Sequence, residues 1–322
     1  MAPVRLRKAD KVELTVLVDN FSDHLMNDTP VAKRLRTKPP QAPLAEHGLS
    51  FLISVYAGTE KHTLLMDGGI SGTCLNHNAK LFKSSMAVLS GAVGHAVEDV
   101  EGIVLSHGHF DHFGGLPAFL EARGEKLPVV VHPGAFADRR AKLSPDVYTP
   151  LPSLHENDLV RAGAVLERRA SFSTTASDLV LISGQVSRQT SFEKGSPRME
   201  IHSEGEWKID PFDDDQALAI DLKGWGLVVI GGCCHAGIIN TIEYLCRSAG
   251  AKTVYAVFGG FHLSGADEGV ISRTVQEMQR IGPGLIAPMH CTGWSATSAF
   301  AAAMPDQFIL NTVGTTYVLE GR

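Results

Sequence analysis

The stretch VLSHGHFDHFGG, residues 104–115, constrains this chain more than any other. Three imidazoles and one carboxylate, His107, His109, Asp111 and His112, fall within six positions, directly after the apolar run GIVLS. A short apolar run bounded by polar residues reads as a buried strand. In open α/β sheets, ligand crevices form where such strands end. Side chains at 107, 109 and 111 splay from a tight turn while His112 leaves in another direction, so one loop can feed two neighbouring metal ions. Neutral imidazole and carboxylate oxygen suit zinc, with manganese or iron as less selective alternatives. Gly108, Gly114 and Gly115 let the backbone bend close to such ions. A fold that carries this loop must bury the strand before it and leave that strand's end open.

The rest of the chain reads as more of the same architecture. VELTVLVD, LSFLISVY, HTLLMD, LPVVVH, LVLIS, QALAIDL, GLVVI, TVYAVF, GLIAP and FIL are apolar runs of strand length bounded by Gly, Asp or Pro. So many short strands imply more than one sheet. Helical spacing follows His235, where Ile238, Ile239, Ile242, Leu245 and Cys246 share a face and Gly250 supplies a stop. A second helix carries Val270, Ile271, Val275, Met278 and Ile281. The stretch from about 133 to 210 is richer in Arg, Ser, Glu and Pro, and we read it as an insertion or lid within one domain spanning residues 1–322.

Composition narrows the partners. At 322 residues and 44% hydrophobic content the chain can bury a large core. A formal net charge of −6 argues against nucleic acid or an anionic membrane surface as a partner, because both need clustered Lys and Arg. KRLRTKPP, residues 33–40, is the one basic run, and reads as a solvated loop. Five cysteines, an odd number in a chain too long to need staples, fit a reducing compartment. With no secretory leader pattern and no long apolar segment, the expectation is a cytoplasmic protein acting on a small molecule. Oligomeric state is not legible.

The H-x-H-x-D-H run resembles the signature of the metallo-β-lactamase superfamily. Upstream, LLMDGG resembles its Asp-Gly turn, and downstream VVIGGCCHAG and IAPMHCTGW stand in the matching order, covering roughly residues 12–132 and 214–320. EHGLSFLI, NHNA, SGQVSRQTSFE, DDQAL, GCCHAGIINT and FGGFHL are similar to one branch, the dihydropterin ribofuranosyl-aminobenzene phosphate synthase-like proteins. Two departures stand out. The usual bridging aspartate has no clear counterpart, its place reading Cys233-Cys234-His235, and the family's Glu-Ile-Pro is Gln185-Val186-Ser187.

The resemblance implies an α/β, four-layer αββα sandwich and two divalent ions. His107, His109 and His235 would hold the first ion; Asp111, His112 and His290 would hold the second. Asp67 would orient the loop from behind. His132 or Cys234 could stand in for His235, since a thiolate is also a good zinc ligand. Ions sharing a water lower its pKa from about 15.7 toward about 7, yielding hydroxide at neutral pH. Hydrolysis of a small anionic or heterocyclic ester, phosphoester or lactone follows, with Asp111 and His262 as catalytic candidates. His262 and Arg188 are the substrate-binding candidates, Arg188 through a bidentate grip on an anionic group. Glu46 and His47 precede a strand and read equally as a surface pair. Alternatives are pterin-dependent C–N bond formation with a diphosphate leaving group, and a non-catalytic metal sensor. A nuclease would need a basic track that the charge does not supply.

Overall fold

Strands that are apolar on both faces need cover on both faces, and these sequences find it in two large sheets stacked against each other. The computed structural model describes residues 3–83 and 97–322. One sheet has eight strands, in the spatial order Ala164–Arg168, Leu127–Val131, Gly102–Val104, Glu60–Met66, Ser50–Ala57, Lys11–Val18, Thr316–Glu320 and Ala32–Lys33. The other has seven. Its path runs Ser173–Thr175, Val180–Ile182, Ala217–Leu222, Gly226–Gly231, Val254–Gly260 and Leu285–Met289, with Lys8–Ala9 added beside Ala217–Leu222.

Alternation along each strand sorts side chains between layers. Val12, Leu14, Phe51, Ile53 and Met66 of the first sheet meet Ile182, Leu218, Ile220, Ile230 and Phe258 of the second in one core between the sheets. On the outer face of the first sheet, Leu52, Leu65, Ile103 and Val129 pack with Leu75, Leu116, Phe119, Leu120 and Leu159 from the helices Gly72–Lys83, Leu116–Arg123 and Glu156–Ala162. On the outer face of the second, Val229, Val257 and Ile286 pack with Ile239, Leu245, Ile271, Met278 and Phe300 from Ile238–Ala249, Glu268–Ile281 and Trp294–Ala303. Helix, sheet, sheet, helix is therefore the layer order.

Parallel strands share an exit end, and this is what gathers the site. Glu60–Met66, Gly102–Val104 and Leu127–Val131 run parallel, as do Gly226–Gly231, Val254–Gly260 and Leu285–Met289. The H-x-H-x-D-H loop follows Gly102–Val104, while His235, His262 and His290 follow the three strands of the other sheet in turn. Gln216 ties the two sheets at this end, its backbone N–H donating to Ser106 O at 2.9 Å and its side chain to Leu105 O at 2.7 Å.

Two expectations change. The stretch 133–210, read as an insertion, is divided between layers: Ala164–Arg168 extends the first sheet, and Ser173–Thr175 with Val180–Ile182 extends the second. Arg139–Ser144, Val147–Pro150, Met199–Ser203 and Glu206–Ile209 form a separate four-stranded sheet. Those strands are polar or half-exposed because they lie outside the central sandwich, which is why their pattern is weak. FIL, expected as a strand, makes a single bridge between Phe308 and Ile286, whereas Thr316–Glu320 fills the first sheet.

Candidate metal centre

The loop is held before it can hold anything. Asp67, fully buried and at φ 62°, accepts from Ser106 N–H and Ser106 Oγ at 2.7 Å each, and from His112 Nδ1 at 2.7 Å. Ser106 Oγ lies 2.9 Å from His107 Nδ1, and because its proton goes to Asp67 it accepts the His107 proton. One carboxylate thus fixes the Nδ1 protons of two imidazoles and turns their Nε2 atoms to the centre. From the other side, Asp214 Oδ2 accepts from Gly108 N–H at 2.8 Å, and Asp214 in turn pairs with buried Arg139 at 2.8 Å. Gly108 must lack a side chain, since a Cβ there would sit 2.0 Å from Ala135 O.

His107, His109 and His235 converge, with one nitrogen from each within 4.8 Å of the others. His107 Nε2 and His235 Nε2 are 3.2 Å apart. Two nitrogens on one tetrahedral zinc lie about 3.4 Å apart, given Zn–N of about 2.0–2.1 Å. Burial holds His107 and His235 well below the ordinary histidine range and His109 down at about 3, so all three are neutral. His109 and Phe212 close the side of this group, with Phe212 stacked on the His235 ring at 4.2 Å.

A second group gathers around one oxygen. Asp111 Oδ2 lies 3.3 Å from His290 Nε2, 3.3 Å from His47 Nε2 and 3.9 Å from His112 Nε2. Burial works to raise the Asp111 pKa, but His112, His290 and His47 outweigh it and hold the carboxylate below its usual range. Burial also works against charge on His112, yet Asp67 and Asp111 outweigh it and push its pKa up to about 9. His290 is placed by the end of Lys11–Val18: its N–H donates to Asp19 Oδ1 at 3.0 Å, and Nδ1 to Asn20 Oδ1 at 3.2 Å. That leaves its Nε2 facing a carboxylate.

Other expected residues fall elsewhere. His132 Nδ1 accepts from Gly134 N–H at 3.1 Å and caps the Pro133–Phe136 turn, outside both groups. Cys234, at φ 54°, sends its sulfur into the core beneath the second sheet, where a Cβ on Gly231 would meet it at 2.2 Å. Cys233 faces the centre instead, its Sγ 3.1 Å from His112 Nε2. Arg188 does not project freely as a substrate grip. Its guanidinium donates to Pro211 O at 2.7 Å and His235 O at 3.1 Å, clamping the turn that presents His235. His262 lies with its ring 4.0 Å from that of His235, at the exposed edge of the group. Glu46 accepts from Ile70 N–H, Ser71 N–H and Ser71 Oγ, which anchors the backbone that presents the exposed His47. Sequence reasoning missed Cys233 and left His47 open between a surface and a catalytic role; the only signal was their position beside strand ends.

These residues fit metal ions. His109 Nε2, His235 Nδ1 and His290 Nε2 are buried without a hydrogen-bond partner. Each such group costs about 1–3 kcal/mol if nothing satisfies it, a large sum against a net folding stability of about 5–15 kcal/mol. His109 and His290 belong to the two converging groups, and buried imidazole nitrogens with no partner are the donors a divalent cation takes.

Helix–sheet–sheet–helix layers with histidines gathered at the strand ends define the metallo-β-lactamase fold. The Metallo-beta-lactamase superfamily model matches residues 47–244, more than half of the chain, and the chain belongs to that superfamily. Within it, the chain is 29% identical over 269 residues to the 7,8-dihydropterin-6-methyl-4-(beta-D-ribofuranosyl)-aminobenzene-5'-phosphate synthase of Methanocaldococcus jannaschii, covering 82% of this chain and 87% of that one. It is 30% identical over 275 residues to an uncharacterized protein of the same organism, covering 84% and 92%. It is a member of the branch that holds this synthase. The crystal structure of Tm1679, a metal-dependent hydrolase of the beta-lactamase superfamily, has the same fold, with a TM-score of 0.70 at 22% identity over 96% of this chain and 98% of that one. No helix among the described residues is long and apolar enough to cross a membrane.

Proposed function

We propose that this chain is a dinuclear metal-dependent hydrolase of a small anionic or heterocyclic ester, phosphoester or lactone. The observation that carries the reading is the pairing of an all-histidine donor group with a group centred on Asp111 Oδ2. His107, His109 and His235 would hold one divalent ion; Asp111, His112 and His290 would hold the other, with His47 and Cys233 as further donors within reach. Zinc suits this set best, and manganese or iron also fit its nitrogen and oxygen donors. When bound, such ions supply Lewis acidity and a water acidified toward neutral pH.

The chain's own residues do the rest. Asp67 holds the protons of His112 and, through Ser106, of His107 on the nitrogens that face away from the centre. Arg188 fixes the His235 turn by its carbonyl. His47 and His262 stand at the exposed mouth, where a substrate enters, and His262 is placed to pass a proton to a leaving group. A net charge of −6 favours a small molecule over a polynucleotide.

A second reading is favoured by the named relative: C–N bond formation on a pterin diphosphate, with the same ions gripping the diphosphate. One assay separates the two. Aryl phosphate, bis-aryl phosphodiester, acyl-homoserine lactone and thioester are offered with zinc, manganese and iron, in parallel with a dihydropterin diphosphate plus an aminobenzoate. Hydrolysis above background that vanishes in Asp111→Ala supports the hydrolase. Condensation with every hydrolysis at background overturns it in favour of the synthase.

A further inference from the structure

We propose that Cys233 and Cys291 are a peroxide-sensitive modification site, closing a reversible disulfide that competes with metal for the Cys233 sulfur. This rests on the metal reading above. Cys233 follows the strand Gly226–Gly231 and Cys291 follows Leu285–Met289, with Val254–Gly260 lying between them in the sheet. Next-but-one strands stand about 10 Å apart, twice the spacing of about 4.8 Å between neighbours. That spacing is too wide for a disulfide, which needs Cα atoms about 4.4–6.8 Å apart, but each cysteine lies two residues beyond the end of its strand and is not held to the ladder spacing.

The two sulfurs approach because the middle strand ends without a side chain. A Cβ on Gly260 would lie 2.5 Å from Cys291 Sγ and 3.3 Å from the Cys233 Cα, so any other residue there would wedge the pair apart. Cys291 Sγ sits 3.7 Å from Cys233 O. Both sulfurs and a His262 nitrogen lie within 4.8 Å of one another. His262 is exposed and lies beside the pair, which gives a water-sized oxidant a way in.

Cys233 belongs to two groups at once. Its sulfur also lies with His107 and His112 among the donors of the centre, 3.1 Å from His112 Nε2. A sulfur bonded to another sulfur is no longer a thiolate donor, so disulfide and metal exclude each other at this position. Neighbouring Cys234 is turned into the core and cannot substitute.

The chemistry balances with hydrogen peroxide as oxidant. The Cys291 sulfur takes one peroxide oxygen to become a sulfenic acid, and the first water leaves. The Cys233 sulfur then attacks the oxidised sulfur, the S–S bond forms and the hydroxyl departs as the second water. Two thiols lose two protons and two electrons, and one peroxide becomes two waters. A dithiol reverses the step by exchange.

The test uses the full chain, stripped with a chelator and then either left bare or loaded with zinc, and treated with hydrogen peroxide. Thiols are counted under denaturing conditions, peptides are mapped by mass spectrometry, and zinc is counted with a chromophoric indicator. In the bare chain two of the five thiols should disappear, and the Cys233 and Cys291 peptides should be joined. Zinc at about ten times its Kd should slow this roughly tenfold. The oxidised chain should take up less zinc than the reduced one, and dithiothreitol should restore uptake. Cys291→Ser should keep its zinc and form no cross-link. Gly260→Ala should lose the cross-link through the wedge, and the serine variant reports even if that alanine variant fails to fold. Sulfinic acid on unlinked cysteines, a Cys233–Cys234 link, or cross-linking at the same rate with zinc bound overturns the proposal. A reduced chain that takes up no zinc sinks the metal reading and the competition with it. A reduced chain that takes up zinc but never cross-links sinks the disulfide alone.

Discussion

In the first donor group, His107, His109 and His235 have no carboxylate among them, and burial leaves all three imidazoles neutral. In the second, Asp111 Oδ2 stands among His47, His112 and His290, and Asp67 presses a proton onto His112 from behind. The groups share a loop, yet one is ready for a cation and the other already carries protons in its place. On the two-ion proposal, the difference teaches that neighbouring donor groups in one fold load by different rules. An ion entering the first group displaces nothing, whereas an ion entering the second must displace a proton from a histidine that Asp67 and Asp111 hold charged.

The most severe way to break this comparison is to remove the shared oxygen. Asp111→Ala should empty the second position while the first keeps its ion, and turnover should fall by about three orders of magnitude or more, because the second ion's Lewis acidity goes with it. Elemental analysis of wild type and variant checks this. Equal metal content in both would show that Asp111 does not define a separate position.

A smaller effect sharpens it. Asp67→Asn keeps the shape of the turn but removes the charge behind His112 and weakens the hold on Ser106. Loss of such an outer partner typically weakens metal binding by about 10–100-fold. The loss should be larger at the second position, since His107 reaches Asp67 only through Ser106 Oγ. Competition titrations with a zinc chelator resolve the two affinities, and an equal loss at both would dissolve the distinction.

The mildest effect is on pH dependence. With the His112 pKa raised to about 9, the ring is protonated at pH 7.5 in the metal-free chain, so protons compete with metal at every pH below 9. Affinity at the second position should therefore fall about tenfold per pH unit from pH 8 to 6. At the first position, where His109 stands at about 3, it should stay nearly flat over that range. Calorimetry in buffers of different ionisation heat should count about one proton released for the second ion. Parallel slopes for both ions would refute the electrostatic difference.

Part of this centre was legible because its donors are consecutive. His107, His109, Asp111 and His112 sit in one loop after one apolar strand, and burial of that strand fixes which way the loop faces. His235 and His290 could be read from their strand ends only with the help of family resemblance. His47 was not legible, because its role exists only where Ser50–Ala57 and Leu285–Met289 bring it and His290 to the same carboxylate. Cys233 and Cys234 are indistinguishable by pattern; the positive φ of Cys234 turns one sulfur to the site and the other to the core. Arg188 shows the opposite failure, since an arginine in a polar stretch reads as free while two backbone carbonyls, one of them 47 residues away, hold it.

By itself, the sequence determined the chemistry on offer and the need for more than one covered sheet, because strand-length apolar runs must be covered on both faces and the polar donors begin where those runs stop; the four-layer order came only with the resemblance. Tertiary structure alone decided how the donors divide. Which imidazole is neutral, which carries a proton, and which sulfur meets which partner depend on charges and burial contributed by segments more than a hundred residues apart, as in the 3.2 Å approach of His235 to His107 across 128 positions. Burial and Coulomb interaction act through space over a few ångströms, and sequence separation carries no information about that distance until the sheets have closed.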